Sequence, residues 1–212
     1  GMGKDALTAC TTGDNNTSVG RSSLKANTTG SQNAAFGQGA LESNTTADSN
    51  TAIGNAALQA NTTGAQNTAV GRSALIANTT ASNNTAVGYQ ALTAATTGTN
   101  NTAVGQETGI TQTDANGCTW LGTSAGRVNT SSNNTGVGAG SLYANTTGAR
   151  NTAVGTGLYG STQGALGANT TGSYNTAVGN QALRDNTTAN DNTALGYSAL
   201  AANTTGTGNI AI

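Results

Sequence analysis

One apolar side chain returns at a fixed interval along this chain, as Val19, Phe36, Ile53, Val70, Val87, Val104, Leu121, Val137, Val154, Val178, Leu195 and Ile212. The steps are of 17 residues except for one of 16 and one of 24. Five residues further on comes a second apolar position, Leu24, Leu41, Leu58, Leu75, Leu92, Leu142, Leu183 and Leu200. The unit reads NTAVGxxALxANTTGxx, and a period of this length marks a solenoid. Seventeen residues cannot hold two helices and a turn, and a helix through this unit would have to absorb Gly, Asn and Thr, all weak helix formers. The pattern therefore predicts an all-β, parallel β-solenoid (a β-roll) of about twelve coils across residues 1–212, with two short strands per coil. One strand is expected around NTAVG and one around ALxA, with both apolar columns in the core. Coils stacked at about 4.8 Å would make a rod roughly 58 Å long.

The polar positions repeat as strictly. Glycine follows the first apolar residue from Gly20 to Gly196, as a corner needs when it requires φ > 0 or a close backbone approach. Three residues before the apolar position stand Asn16, Asn33, Asn50, Asn67, Asn84, Asn101, Asn134, Asn151, Asn175, Asn192 and Asn209, with Cys118 the one exception. Stacked amides of this kind can bond one another and the next coil's backbone as a ladder. Thr51, Thr68, Thr85, Thr102, Thr152, Thr176 and Thr193 form a further column, two residues before the apolar one and so on its face of the strand. That column is expected to point partly inward. The NTTG segments, such as Asn61 to Gly64, have turn chemistry.

Composition narrows the function. With 34% hydrophobic, 7% charged and 3% aromatic residues the chain would read as disordered, were the repeat not so regular and the net charge not only −1. The seven basic residues are scattered singly, which argues against a nucleic-acid partner, and no apolar run approaches membrane-spanning length. Cys10 and Cys118 lie six repeats apart, roughly 29 Å at the expected rise, too far for a disulfide. Gly1 ahead of Met2 reads as the scar of a removed tag. The chain begins and ends in a partial unit without a polar cap, as expected of a piece of a longer protein.

Catalysis lacks its usual groups. There is no histidine, and the eight carboxylates stand at separate positions. Asp185 with Asp191, and Asp48 with Glu42, fall within single coils but read as solvated turn residues. No cofactor or metal is expected. Gly155, Gly157 and Gly160 satisfy GxGxxG by accident, because the glycines belong to the repeat and its insertion rather than to a strand-turn-helix unit. The many NxT triplets follow from the coil's own Asn and Thr columns.

Two irregularities interrupt the array: a degenerate coil at 106–128 with Trp120, and an insertion at about 157–167. Trp120 is read first as a replacement for Ala that packs at an interface, and alternatively as part of a candidate binding patch with Tyr89 and Tyr197. Arg21, Gln38, Asn55, Arg72, Tyr89, Gln106, Thr123 and Tyr197 occupy one changing column, expected to face solvent. The small-residue column Ala40, Ala57, Ala74, Ala91, Ala125, Ala182 and Ala199 is expected to let chains pack closely as a homo-oligomer.

The phrase NTAVG at Asn67 to Gly71 and Asn151 to Gly155 resembles the repeats in head domains of trimeric autotransporter adhesins. The stretch from Thr85 onward is also similar to repeats of phage-type tail fibres and bacterial surface fibres. The resemblance implies a non-enzymatic structural or adhesive module, homotrimeric, extracellular on a cell surface or virion fibre, with a host or surface receptor or glycan as partner. An ice-binding solenoid using its Thr and Asn columns is the alternative.

Overall fold

The computed structural model describes residues 1–157 and 163–212. Among them are twelve short strands: β1 (Thr17–Val19), β2 (Ala34–Phe36), β3 (Thr51–Ile53), β4 (Thr68–Val70), β5 (Thr85–Val87), β6 (Thr102–Val104), β7 (Thr119–Leu121), β8 (Thr135–Val137), β9 (Thr152–Val154), β10 (Thr176–Val178), β11 (Thr193–Leu195) and β12 (Ile210–Ala211). They form one parallel sheet in sequence order. Register follows the repeat: Thr51, Ala52 and Ile53 face Thr68, Ala69 and Val70. The 16- and 24-residue steps keep it, with Leu121 opposite Val137 and Val154 opposite Val178. A bridge from Met2 to Val19 carries the same register one coil towards the N-terminus. The chain is thus an all-β solenoid, and no described helix is long and apolar enough to cross a membrane.

Which face of the strand is inside corrects the sequence reading. A three-residue strand turns its first and third side chains to one face and its second to the other. The second position is the buried one, as Ala35, Ala52, Ala69, Ala86, Ala103, Ala153, Ala177 and Ala194. The column expected in the core, Val19, Phe36, Ile53, Val70, Val87, Val104, Leu121, Val137, Val154, Val178 and Leu195, lies instead on the outer face, half-buried or exposed. Phe36 is 40% exposed, Ile53 42% and Leu121 48%. The Thr column shares that outer face, so it does not point inward. The reason is space. A 17-residue coil encloses a narrow interior already filled from the other side by Leu24, Leu41, Leu58, Leu75, Leu92, Leu142, Leu166 and Leu183, and only a methyl fits opposite them.

There is also one strand per coil rather than two. The ALxA segment is turn, and its leucines sit in left-handed backbone, φ 51° at Leu58, Leu75 and Leu92. A left-handed non-glycine residue costs about 1–2 kcal/mol, which burying a leucine side chain at roughly 1.5–3 kcal/mol offsets. These turns still bond from coil to coil, as where the Leu58 N–H donates to the Ala74 carbonyl at 3.0 Å. The small-residue column at Ala40, Ala57, Ala74, Ala91, Ala125 and Ala182 precedes those leucines and is fully buried, with Ala199 half-buried. It packs the interior and offers no surface to another chain.

Two amide ladders line the inside. In the first, the Asn33 Oδ1 accepts the Asn50 backbone N–H at 3.0 Å, while the Asn33 Nδ2 donates to the Ala47 carbonyl at 2.9 Å. The N–H to Oδ1 bond recurs from Asn16 to Asn209 except after Cys118, whose N–H donates to Asn101 Oδ1 at 2.9 Å but which offers no amide oxygen to Asn134. The second ladder is built by the Asn of NTTG: Asn44, Asn61 and Asn78 each donate to the preceding Oδ1 at 2.8, 2.9 and 2.7 Å. Each rung satisfies polar groups that burial would otherwise penalise. Ala95 interrupts this second ladder, and Asn78 Oδ1 is left buried without a partner. Ala95→Asn should supply the missing donor and raise stability by about 1 kcal/mol or more, read as a higher urea midpoint. An unchanged or lower midpoint would show that the interior there has no room for an amide.

Candidate functional site

The side chains expected to form a binding patch do not come together. Trp120 is 0% exposed, inside the solenoid at the second position of β7. Tyr89 and Tyr197 are exposed but six coils apart, roughly 29 Å at the rise of a parallel sheet. Trp120 is instead the centre of a rebuilt core. Gly109 and Gly126 stand where other coils have leucine, and Gly136 where they have alanine. A Cβ on Gly126 would lie 2.5 Å from the indole ring, one on Gly136 2.9 Å from it, and one on Gly109 3.1 Å from Trp120 Cδ1. The indole Nε1 donates to Gln112 Oε1 at 2.9 Å, and Gln112 replaces an Asn of the second ladder. The degenerate coil is thus a large residue exchanged for several small losses, and it does not reach the surface.

The other chemistry-bearing groups are likewise occupied. Both cysteines are free, and burial pushes the Cys118 thiol up to about 11, so it stays protonated at neutral pH. Asp185 is paired with Arg184 at 2.6 Å, and the guanidinium hydrogen-bonded to it holds its carboxyl below the usual range. The Asp48 Oδ1 accepts the Ser31 N–H at 2.7 Å. Among the described residues no three His, Cys, Asp or Glu side chains gather as metal ligands. Of the accidental GxGxxG, Gly155 and Gly157 belong to the coil, while Gly160 and most of the insertion lie outside the described residues.

What remains is surface, and it divides into three strips. The outer sheet face carries the Thr column and the Val column side by side, with no charged residue at either position from β1 to β12. The segment before each strand carries Asp14, Asp48, Asp114 and Asp191 against Arg150 alone. The segment after each glycine corner carries Lys4, Arg21, Lys25, Arg72, Arg127 and Arg184 against Asp5, Glu42, Glu107 and Asp185. The net charge of −1 therefore hides a basic edge and an acidic one. On the basic edge Glu107 is held by Arg127 at 3.3 Å and Asp185 by Arg184, so the unpaired cations cluster in the N-terminal coils.

The changing column runs along this basic edge. Arg21, Gln38, Asn55, Arg72, Tyr89, Gln106 and Tyr197 are exposed and Thr123 is half-buried. Arg72 lies over the ring of Tyr89, 5.9 Å from its centre. A cleft of about 270 Å³ opens at its N-terminal end, lined by Arg21, Ser22, Gln38, Gly39, Glu42, Asn55, Ala56 and Gln59. Within the lining, Gln59 Nε2 donates to Glu42 Oε2 at 2.7 Å. Sequence reasoning found the column but not the cleft. Gly39 is one of the glycines of a column that also holds Gly140 and Gly157, whereas Ser22, Ala56, Ser73 and Gln90 fill the same place in the neighbouring N-terminal coils. No protein-family model, curated protein or solved structure matches the chain.

Proposed function

We propose that the chain is a structural and adhesive rod of an extracellular fibre, in which a constant solenoid displays a changing column of polar and aromatic side chains to a surface receptor or glycan. The observation that carries this reading is the contrast between columns. The interior repeats the same Ala, Leu and Asn coil after coil, while the exposed column from Arg21 to Tyr197 changes at nearly every step. A scaffold so regular and a surface so varied separate stability from recognition. Among the described residues no cluster of metal-ligating side chains competes with this reading, and the resemblance of NTAVG to adhesin-head and tail-fibre repeats points the same way. A direct test is retention under flow of beads coated with the chain on mucin- and pectin-coated glass. Replacing Arg21, Gln38, Asn55, Arg72, Tyr89 and Gln106 by Ser should abolish retention with the circular dichroism unchanged. Equal retention of the variant, or none by the original chain, would refute the proposal.

Assembly of copies, as a homotrimer in the resemblance, is placed by the same reading on the uncharged Thr and Val face rather than on the buried alanines. Phe36, Ile53, Leu121, Val154 and Leu195 line up there as an apolar strip that water solvates poorly. Light scattering at micromolar concentration should return about three times 20.5 kDa, and Ile53→Asp with Val87→Asp should return a single chain. A monomeric mass before substitution would remove the assembly.

The outward Thr column favours a second reading, ice binding, because regular hydroxyls and methyls one rung apart on a parallel sheet can order water. Ice-recrystallisation inhibition that Thr68→Lys and Thr102→Lys abolish would decide for it.

A further inference from the structure

We infer that the cleft at Gly39 is a binding site for a carboxylate-bearing sugar, a deepening that rests on the adhesive reading above. Four observations converge on it. First, its open wall is made by Arg21, Gln38 and Asn55, three planar side chains one rung apart, about 4.8 Å from one to the next. Guanidinium and amide groups at that spacing offer paired donors and acceptors to adjacent hydroxyls, and the rung spacing is about the width of one pyranose ring. Second, the lining holds no large apolar side chain. A cleft so polar selects a ligand that brings its own hydrogen-bonding groups.

Third, the charge is directional. Lys4 and Arg21 stand in one column with Arg72, and Lys25 stands in the column of Glu42 and Gln59. The one carboxylate of the cleft, Glu42, already receives the Gln59 amide, whereas among the described residues no hydrogen bond or ion pair holds the Arg21 guanidinium. Glu42 keeps its charge, but Lys4, Arg21, Lys25 and Arg72 outnumber Asp5 and Glu42 along these coils, so an anionic group meets Arg21 with the local balance in its favour, and a guanidinium binds a carboxylate bidentately. Fourth, residue 39 in the lining is glycine, and a side chain there would crowd the cleft. A Cβ there would lie 3.3 Å from Gln59 Nε2 and 3.4 Å from Glu42 Oε2, so any side chain enters the cleft. Gln90 and Gln181 hold the corresponding place in other coils at φ 56° and 61°, against 68° for Gly39. Two rungs beyond Asn55, Tyr89 with Arg72 over its ring extends the same strip for a longer chain.

The size of about 270 Å³ suits a single sugar ring, with neighbouring units lying along the column. Either a uronic acid or a sialic acid carries the required chemistry. Calorimetric titration of the whole chain with trigalacturonic acid, with 3′-sialyllactose and with neutral maltotriose separates these sources. At least one acidic probe should bind, with maltotriose at least tenfold weaker. Arg21→Gln should weaken the acidic probe at least tenfold. Gly39→Gln should abolish binding with the circular dichroism unchanged and the urea midpoint only modestly lower, because the left-handed backbone and the Gln59 and Glu42 side chains must accommodate the new Cβ. No binding of either acidic probe at millimolar concentration, equal binding of maltotriose, or unchanged affinity in both variants would overturn the assignment. Bead retention by the same two variants keeps the readings apart. Undiminished retention alongside silent titrations removes the cleft and leaves the adhesive rod, whereas absent retention by the unsubstituted chain removes the rod.

Discussion

Gly54→Ala should disrupt the solenoid at its third and fourth coils, at a cost of about 3 kcal/mol or more. Gly54 has φ +133°, outside the conformations a residue with a Cβ adopts readily. The added carbon would also lie 2.6 Å from the carbonyl oxygen of Gly71 and 2.7 Å from its carbonyl carbon. Both contacts are with backbone, so no side chain can swing aside. Relief requires the two coils to part, which breaks the bonds from the Gly71 N–H to the Ile53 carbonyl and from the Ser73 N–H to the Asn55 carbonyl, at 2.7 and 3.0 Å. Because each coil contacts only its neighbours, the damage should be local. Hydrogen exchange should show lost protection around residues 51–71 and retained protection in distant coils. Gly117→Asn is the matching control. Its φ of +65° is close to the +60° of Asn133 in the next coil, and its new Cβ would meet only the Asn133 Oδ1, at 3.0 Å. That variant should lie within about 0.5 kcal/mol of the original chain. If both variants behave alike, stacking of the glycine column is not what holds adjacent coils at their spacing.

Much of this architecture was legible in the residues, because a period observed inside one chain constrains every copy at once. The rung-on-rung register, the glycine corner and the polar ladder all follow from it. The orientation of the strand did not, and the reason is instructive. Hydrophobicity alone placed Val70 inside and Ala69 at the margin, whereas the structure has them reversed. A better signal was the tolerance of each column to volume. The valine column takes Phe36, Ile53 and Leu121 with no compensating change nearby, as an open surface permits. The alanine column takes one large residue, Trp120, and three glycines accompany it. Enclosed positions resist changes of volume and open ones do not. The burial of Asn50 pointed the same way, since residues two apart share a face and Asn50 and Ala52 must then face inward together.

The absent second strand has a similar explanation. ALxA reads as extended because its apolar residues bound a short run, yet its leucines adopt a left-handed backbone that few non-glycine residues accept. Only one feature of the sequence announced this: where leucine is missing, at 109 and 126, glycine stands in its place. The functional surface was half visible. The changing column could be read from its variation, but the cleft depends on which side chains stand one coil apart, and that juxtaposition needs the register of the coils.

Trp120→Ala should cost about 3–5 kcal/mol, the largest effect of any single side-chain truncation in the chain. The indole fills space that neighbouring coils fill with two leucines and a methyl, so its removal leaves a cavity bounded by Gly109, Gly126 and Gly136, which bring no side chain of their own to fill it. It also removes the Nε1 donor to Gln112 Oε1 inside the core. The loss should be recoverable by restoring the repeat. Gly109 and Gly126 have φ 55° and 58°, close to the 48–53° of the leucine column, so Gly109→Leu and Gly126→Leu require no change of backbone. Combined with Trp120→Ala and Gly136→Ala they rebuild the ordinary coil, and the fourfold variant should regain most of the original urea midpoint. The same leucines placed against the intact tryptophan should destabilise, because a Cβ at residue 126 already meets the ring at 2.5 Å. This reversal of sign is a coupling between residues in contact, which only a shared space can produce. Additive effects across the four positions would mean that Trp120 and the glycines do not compensate one another, and that the degenerate coil is held by something other than its core.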